Sequence, residues 1–93
     1  QQRSLDMIVY MVERNLKGNS MEDLGGAQKA GTAKAAEMTA AGTDVKYIRS
    51  TFMPDDGRCM CLFDSNSETD VKRLNDEAGI PYDRVVTALD LTP

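Results

Sequence analysis

The sequence predicts an α+β domain whose elements run in the order β-α-β-β-α-β. Three observations carry that prediction. Two helix-length segments each open on a serine followed three positions later by an acidic residue, Ser20 with Asp23 and Ser67 with Asp70. Each of these segments closes on a glycine, Gly42 and Gly79. The remaining ordered segments are short runs of β-branched and large apolar side chains, two of them joined by Pro54-Asp55-Asp56-Gly57.

Residues 6–13, DMIVYMVE, predict the first strand, and Lys17-Gly18-Asn19 a turn after it. The first helix starts at Ser20, where Glu22 and Asp23 suit the positive end of the helix dipole, and runs to about Ala41. Strands near 45–52 and 58–64 follow as a hairpin. The second helix runs from Ser67 to Gly79, with Ile80-Pro81 as its stop. Residues 84–89, RVVTAL, complete the set as a last strand. This order is the ferredoxin-like split β-α-β pattern, an antiparallel sheet with two helices on one face.

In that topology the first and third strands are central. Both are apolar on both faces here: Ile8, Tyr10 and Val12 against Met7, Val9 and Met11, and Cys59, Cys61 and Phe63 against Met60 and Leu62. A half-solvated antiparallel sheet alternates apolar with polar instead. The outer face is therefore expected to be covered, and the chain has no spare element to cover it. A homodimer with sheets facing each other is the simplest solution.

The chain has 93 residues, so one domain is expected over 6–93, with residues 1–5 disordered or processed. Its 41% hydrophobic content places it among globular chains. A net charge of −4 argues against nucleic acid and anionic membrane as partners. No apolar run is long enough to span a bilayer. The first residue is Gln, which is compatible with export after signal-peptide cleavage. Free thiols fit a reducing cytoplasm better, because Cys59 and Cys61 stand two apart on one strand and are poorly placed for a mutual disulfide.

The hairpin carries the candidate chemistry. With Phe52 opposite Arg58 across a five-residue loop, Thr51 faces Cys59, Arg49 faces Cys61 and Tyr47 faces Phe63, all on one side. A slip of one residue would put Ile48 and Ser50 there instead. Two thiols could offer soft metal ligands, and a dimer would bring four, although the usual second pair and any histidine are missing. Lacking histidine, the chain cannot build a Cys-His nucleophile. Arg49 either snorkels or pairs with Glu13 at the dimer edge, or binds an anionic group between the sheets with Tyr10 or Tyr47 as a wall. Asp55, Asp56, Asp64, Glu68 and Asp70 supply hard oxygen donors; turn and cap chemistry explains all of them without a metal, and a weak surface site for a divalent ion is the alternative.

The first helix is interrupted by Gly25, Gly26 and Gly31, and its inward face (Leu24, Ala27, Gly31, Ala35, Met38) is rich in small residues. The preferred reading is a helix lying close on its sheet, and the sharper one is space for a small ligand beneath it. Gly26 and Gly31 have phosphate-loop spacing, but Thr32-Ala33 follow where Lys and Ser/Thr belong, so that match is accidental.

Val12-Glu13-Arg14 with Leu16 and Gly18, then Tyr47-Ile48-Arg49-Ser50, Asp56-Gly57, Cys61-Leu62-Phe63 and Ala78-Gly79-Ile80-Pro81 with Arg84, resemble a small bacterial ferredoxin-like family. It includes nickel-responsive, nickel-binding proteins of actinomycetes. The resemblance implies a dimer and, for some members, divalent nickel held at the dimer surface. Relatives often carry His where Arg49 stands and Pro where Lys17 stands, and Cys61 is the potential ligand that matches the family pattern.

Together these readings give a small homodimeric protein that binds a small molecule or a metal ion, nickel by resemblance. The expected site is the inter-sheet face, with Tyr10, Glu13, Tyr47, Arg49, Cys59 and Cys61 as ligand contacts and Cys59 and Cys61 as metal ligands. The alternatives are a small dimeric α+β barrel enzyme acting on an organic substrate, and a purely structural or regulatory domain.

Overall fold

A computed structural model describes residues 8–91. The segment 1–5 and the expected start of the first strand at residues 6 and 7 lie outside the described residues. The elements are β1 (Ile8–Asn15), α1 (Met21–Ala40), β2 (Val45–Met53), β3 (Arg58–Ser65), α2 (Glu68–Ala78) and β4 (Arg84–Leu89). The expected β-α-β-β-α-β order is present.

Local chemistry sets the helix ends. Ser20 Oγ accepts from the Asp23 amide at 3.0 Å while Asp23 Oδ2 accepts from the Ser20 amide at 3.1 Å, a complete capping box. At α2, Ser67 Oγ accepts from the Asp70 amide at 3.1 Å. That helix ends on Gly79 in the left-handed region (φ 73°), and the Ile80 amide closes onto the Asn75 carbonyl at 3.0 Å.

The strands form one antiparallel sheet in the order β2-β3-β1-β4, so the first and third strands are indeed central. β3 alternates as a two-sided strand requires: Cys59, Cys61, Phe63 and Ser65 are buried and the residues between them half-buried. Val12, Phe63 and Val85 from the sheet, Ala35 and Met38 from α1, and Val71 and Leu74 from α2 make one core. Both helices therefore cover the same face. Among the described residues no helix is long and apolar enough to cross a membrane.

The hairpin register differs from the expected one. Met53, not Phe52, stands opposite Arg58, so only residues 54–57 form the loop. Ser50 then faces Cys61, Phe52 faces Cys59 and Arg49 faces Leu62. A bulge between Tyr47 and Arg49 absorbs one extra residue and restores the expected Tyr47–Phe63 pair. The reason is burial: this register turns Phe52 inward and Arg49 outward, whereas the other would bury a guanidinium and expose a phenyl ring. The face expected to hold Arg49 beside the thiols holds Ser50 instead.

On the outer face, Glu13 accepts from Arg84 Nη2 at 2.9 Å and Arg58 Nη2 at 3.0 Å. The Arg84 hydrogen bond, helped by Arg58, holds the Glu13 carboxyl below its ordinary value despite some desolvation. Glu13 is thus taken, and Arg49 pairs with Asp90 at 2.5 Å. Met11, Met60, Leu62 and Val86 lie half-buried on the same side.

Candidate functional site

The inward face and α1 do not close completely. Ala35 and Met38, in the second half of the helix, are buried against the sheet as the close-packed reading expects. Toward the helix start, where Leu24, Ala27 and Gly31 face the strands, a cavity of about 160 Å³ remains. Small side chains on the roof leave the space, since a methylene or more is missing at Ala27 and Gly31 compared with a filled core. Its floor is formed by Ser50, Phe52, Cys59, Cys61 and Phe63, with exposed Met21 and Gln28 at its rim.

A line of polar groups crosses this mostly apolar wall. Gln28 Nε2 donates to Tyr47 Oη at 3.0 Å, Tyr47 Oη is in a short hydrogen bond with Ser50 Oγ, and Ser50 Oγ donates to Cys61 Sγ at 3.0 Å. Cys61 Sγ lies 3.9 Å from Cys59 Sγ. The Tyr47 and Phe63 rings, opposite each other across the strands, pack tilted with centroids 5.3 Å apart. Burial, and next the neighbouring Cys61 sulfur, push the Cys59 thiol up to about 11. It is a thiol rather than a nucleophile at neutral pH.

That shift has two readable consequences. The folded value lies above the unfolded value of 9.0, so the thiol's contribution to stability falls as pH rises from there to about 11. At neutral pH the thiolate population of Cys59 should be about a hundredfold below that of the unfolded chain. Alkylation of Cys59 by iodoacetamide in the reduced native protein, read by peptide mapping, is expected to be slower than in urea by at least that factor. Equal rates at Cys59 in the two states would show that this thiol is open to solvent and not raised.

Arg14 closes one end of the cavity wall. It follows Val12 on β1, faces Cys59 across the ladder and is only 3% exposed. Its Nη2 donates to Asn75 Oδ1 at 2.8 Å and its Nη1 to the Pro81 carbonyl at 3.2 Å. Its Nε is buried without a partner.

The six residues expected at one inter-sheet face are therefore divided by the sheet. Tyr47, Cys59 and Cys61 line the helix-side cavity, and Tyr10 packs against the core on that side. Glu13 and Arg49 sit on the opposite face in separate ion pairs. Arg14, Gln28 and Phe52 were not anticipated as wall residues. The signal for Arg14 was present in its parity, because Tyr10, Val12 and Arg14 alternate onto one side of a central strand. Among the described residues no three Cys, Asp or Glu side chains gather as a metal site would require.

Comparison with known proteins agrees with this architecture. The crystal structure of SCO4226 from Streptomyces coelicolor A3(2) is similar with a TM-score of 0.75 and 21% identity. The match covers 91% of this chain and 99% of that one, which shows a common fold. No curated protein matches by sequence. The family described as nickel responsive protein SCO4226-like matches residues 10–87. The chain therefore belongs to the SCO4226-like family of nickel-responsive proteins.

Proposed function

We propose that this protein is a binding protein that holds a small molecule in the cavity between α1 and the sheet, and that it works as a homodimer through the outer sheet face. The observation that carries the reading is the cavity itself. At about 160 Å³ it matches the roughly 150 Å³ of an apolar cavity that takes up benzene. Its walls combine apolar side chains with a few fixed polar groups, the usual composition of a ligand site. Binding is favoured over catalysis because the Cys59 thiol is held protonated and no histidine is present to activate either cysteine.

The dimer is supported by the half-buried Met11, Met60, Leu62 and Val86 on the face that no helix covers. A nickel ion, which the family description raises, finds no fitting donor set in these residues. The whole chain lacks histidine, both thiols are buried, and among the described residues no carboxylate gathers with them to complete a site. Cys59 and Cys61 also face the helices, so a sheet-to-sheet dimer would not bring four thiols together. The cavity, rather than an ion, is the proposed site.

The test is an amide and methyl chemical-shift titration of the reduced chain with toluene, repeated on Ala27→Phe, with sedimentation of both proteins at micromolar concentration. Saturable shifts at Phe52, Cys59 and Phe63, lost in the variant, are expected for a protein sedimenting as a dimer. Shifts that ignore Ala27→Phe would end the cavity reading, and a monomer would end the homodimer part.

A further inference from the structure

Resting on the cavity reading, we infer that the natural occupant is a small monocarboxylate with an apolar body, its anionic end toward Arg14. The argument begins with charge. Arg49, Arg58, Arg73 and Arg84 each pair with a carboxylate although all four are partly exposed and water could serve them. Arg14 is the most buried of the described arginines, and among the described residues no carboxylate pairs with it. Its two partners, the Asn75 amide oxygen and the Pro81 carbonyl, are neutral.

A buried guanidinium normally has a counter-charge, because desolvating it alone is costly. Cys59 faces Arg14 across the ladder but retains its proton and so supplies no counter-charge. The Nε–H is also without an acceptor. An anion at the Arg14 end of the cavity supplies the missing charge, in the low-dielectric setting where such an interaction is strongest. Leu24, Phe52 and Phe63 then surround an apolar body of benzene size. Inorganic anions fit poorly, since most of that wall would strip their hydration without replacing it.

The test compares benzoate with benzyl alcohol, a neutral analogue with the same ring, by chemical-shift titration of the full reduced chain at neutral pH. Benzoate is expected to bind at least about tenfold more tightly, with the largest shifts at Arg14, Cys59 and Cys61. Arg14→Gln should abolish the preference while benzyl alcohol still binds. If that variant does not fold, the selectivity of the unaltered chain decides alone. Equal affinities, or benzoate shifts confined to exposed lysines, overturn the carboxylate assignment and leave the cavity reading standing. Failure of benzoate, benzyl alcohol and toluene alike would bring down both.

Discussion

Gly57→Ala is expected to destabilise the fold by about 3 kcal/mol or more, read as a fall in the urea midpoint at unchanged slope. Gly57 has φ +75°, and a Cβ built there would lie 2.4 Å from Lys17 Cα and 2.6 Å from Lys17 N. Left-handed backbone alone costs a non-glycine residue roughly 1–2 kcal/mol. A collision with main chain adds about 1–3 kcal/mol, because no side chain can swing aside to relieve it. The relief that remains is to move the β2–β3 loop away from the end of β1. That would stretch the 2.7 Å hydrogen bond from the Leu16 amide to the Gly57 carbonyl and the 2.9 Å bond from the Gly57 amide to the Met53 carbonyl. Gly18→Ala is the control: φ is +90° there but nothing lies within 4 Å, so it isolates the backbone term. Similar losses in the two variants would show that the close approach to Lys17 has no energetic weight.

Asn75→Ala should cost about 3 kcal/mol, at the upper end of the range for leaving a buried polar group unpaired, because the group concerned is charged. Asn75 is fully buried on α2, where its Nδ2 donates to the Val71 carbonyl at 2.8 Å and its Oδ1 accepts from Arg14. Removing the amide leaves Arg14 with a single 3.2 Å bond to Pro81. It also opens a small void between α2 and β1. Chemical denaturation of the variant reads this directly. A loss below about 1 kcal/mol would mean that water or a rearranged Arg14 replaces the amide, and that the guanidinium is less isolated than its burial indicates.

Much of the architecture was legible because it rests on local rules. Ser20 with Asp23 and Ser67 with Asp70 cap the two helices, Gly79 ends the second, and the order of elements leaves a single common topology. The site was less legible for two physical reasons. Side-chain parity in a strand is all-or-none, so miscounting the hairpin loop by one residue exchanged Arg49 for Ser50 at the thiols. The cavity depends on how far a small-residue helix stands from its sheet, a distance set by Met38, Leu24 and their partners rather than by any one motif. Gly31 and Ala27 suggested either close packing or space, and α1 does both along its length.

The irregularity at Ile48 has a consequence for how chains of this shape diverge. Before it, β2 sends odd-numbered residues inward, Val45 and Tyr47; after it, even-numbered ones, Ser50 and Phe52. The strand thus contains a phase reversal whose position is set by one inserted residue. Losing Ile48 itself would straighten the strand with the same side chains under α1, but losing a residue after it, Thr51 for example, would let the strand pair without a bulge and turn Arg49 inward opposite Cys61 in place of Ser50. Ligand preference among such chains can therefore shift through a single-residue change in length, which a comparison of substitutions alone would overlook.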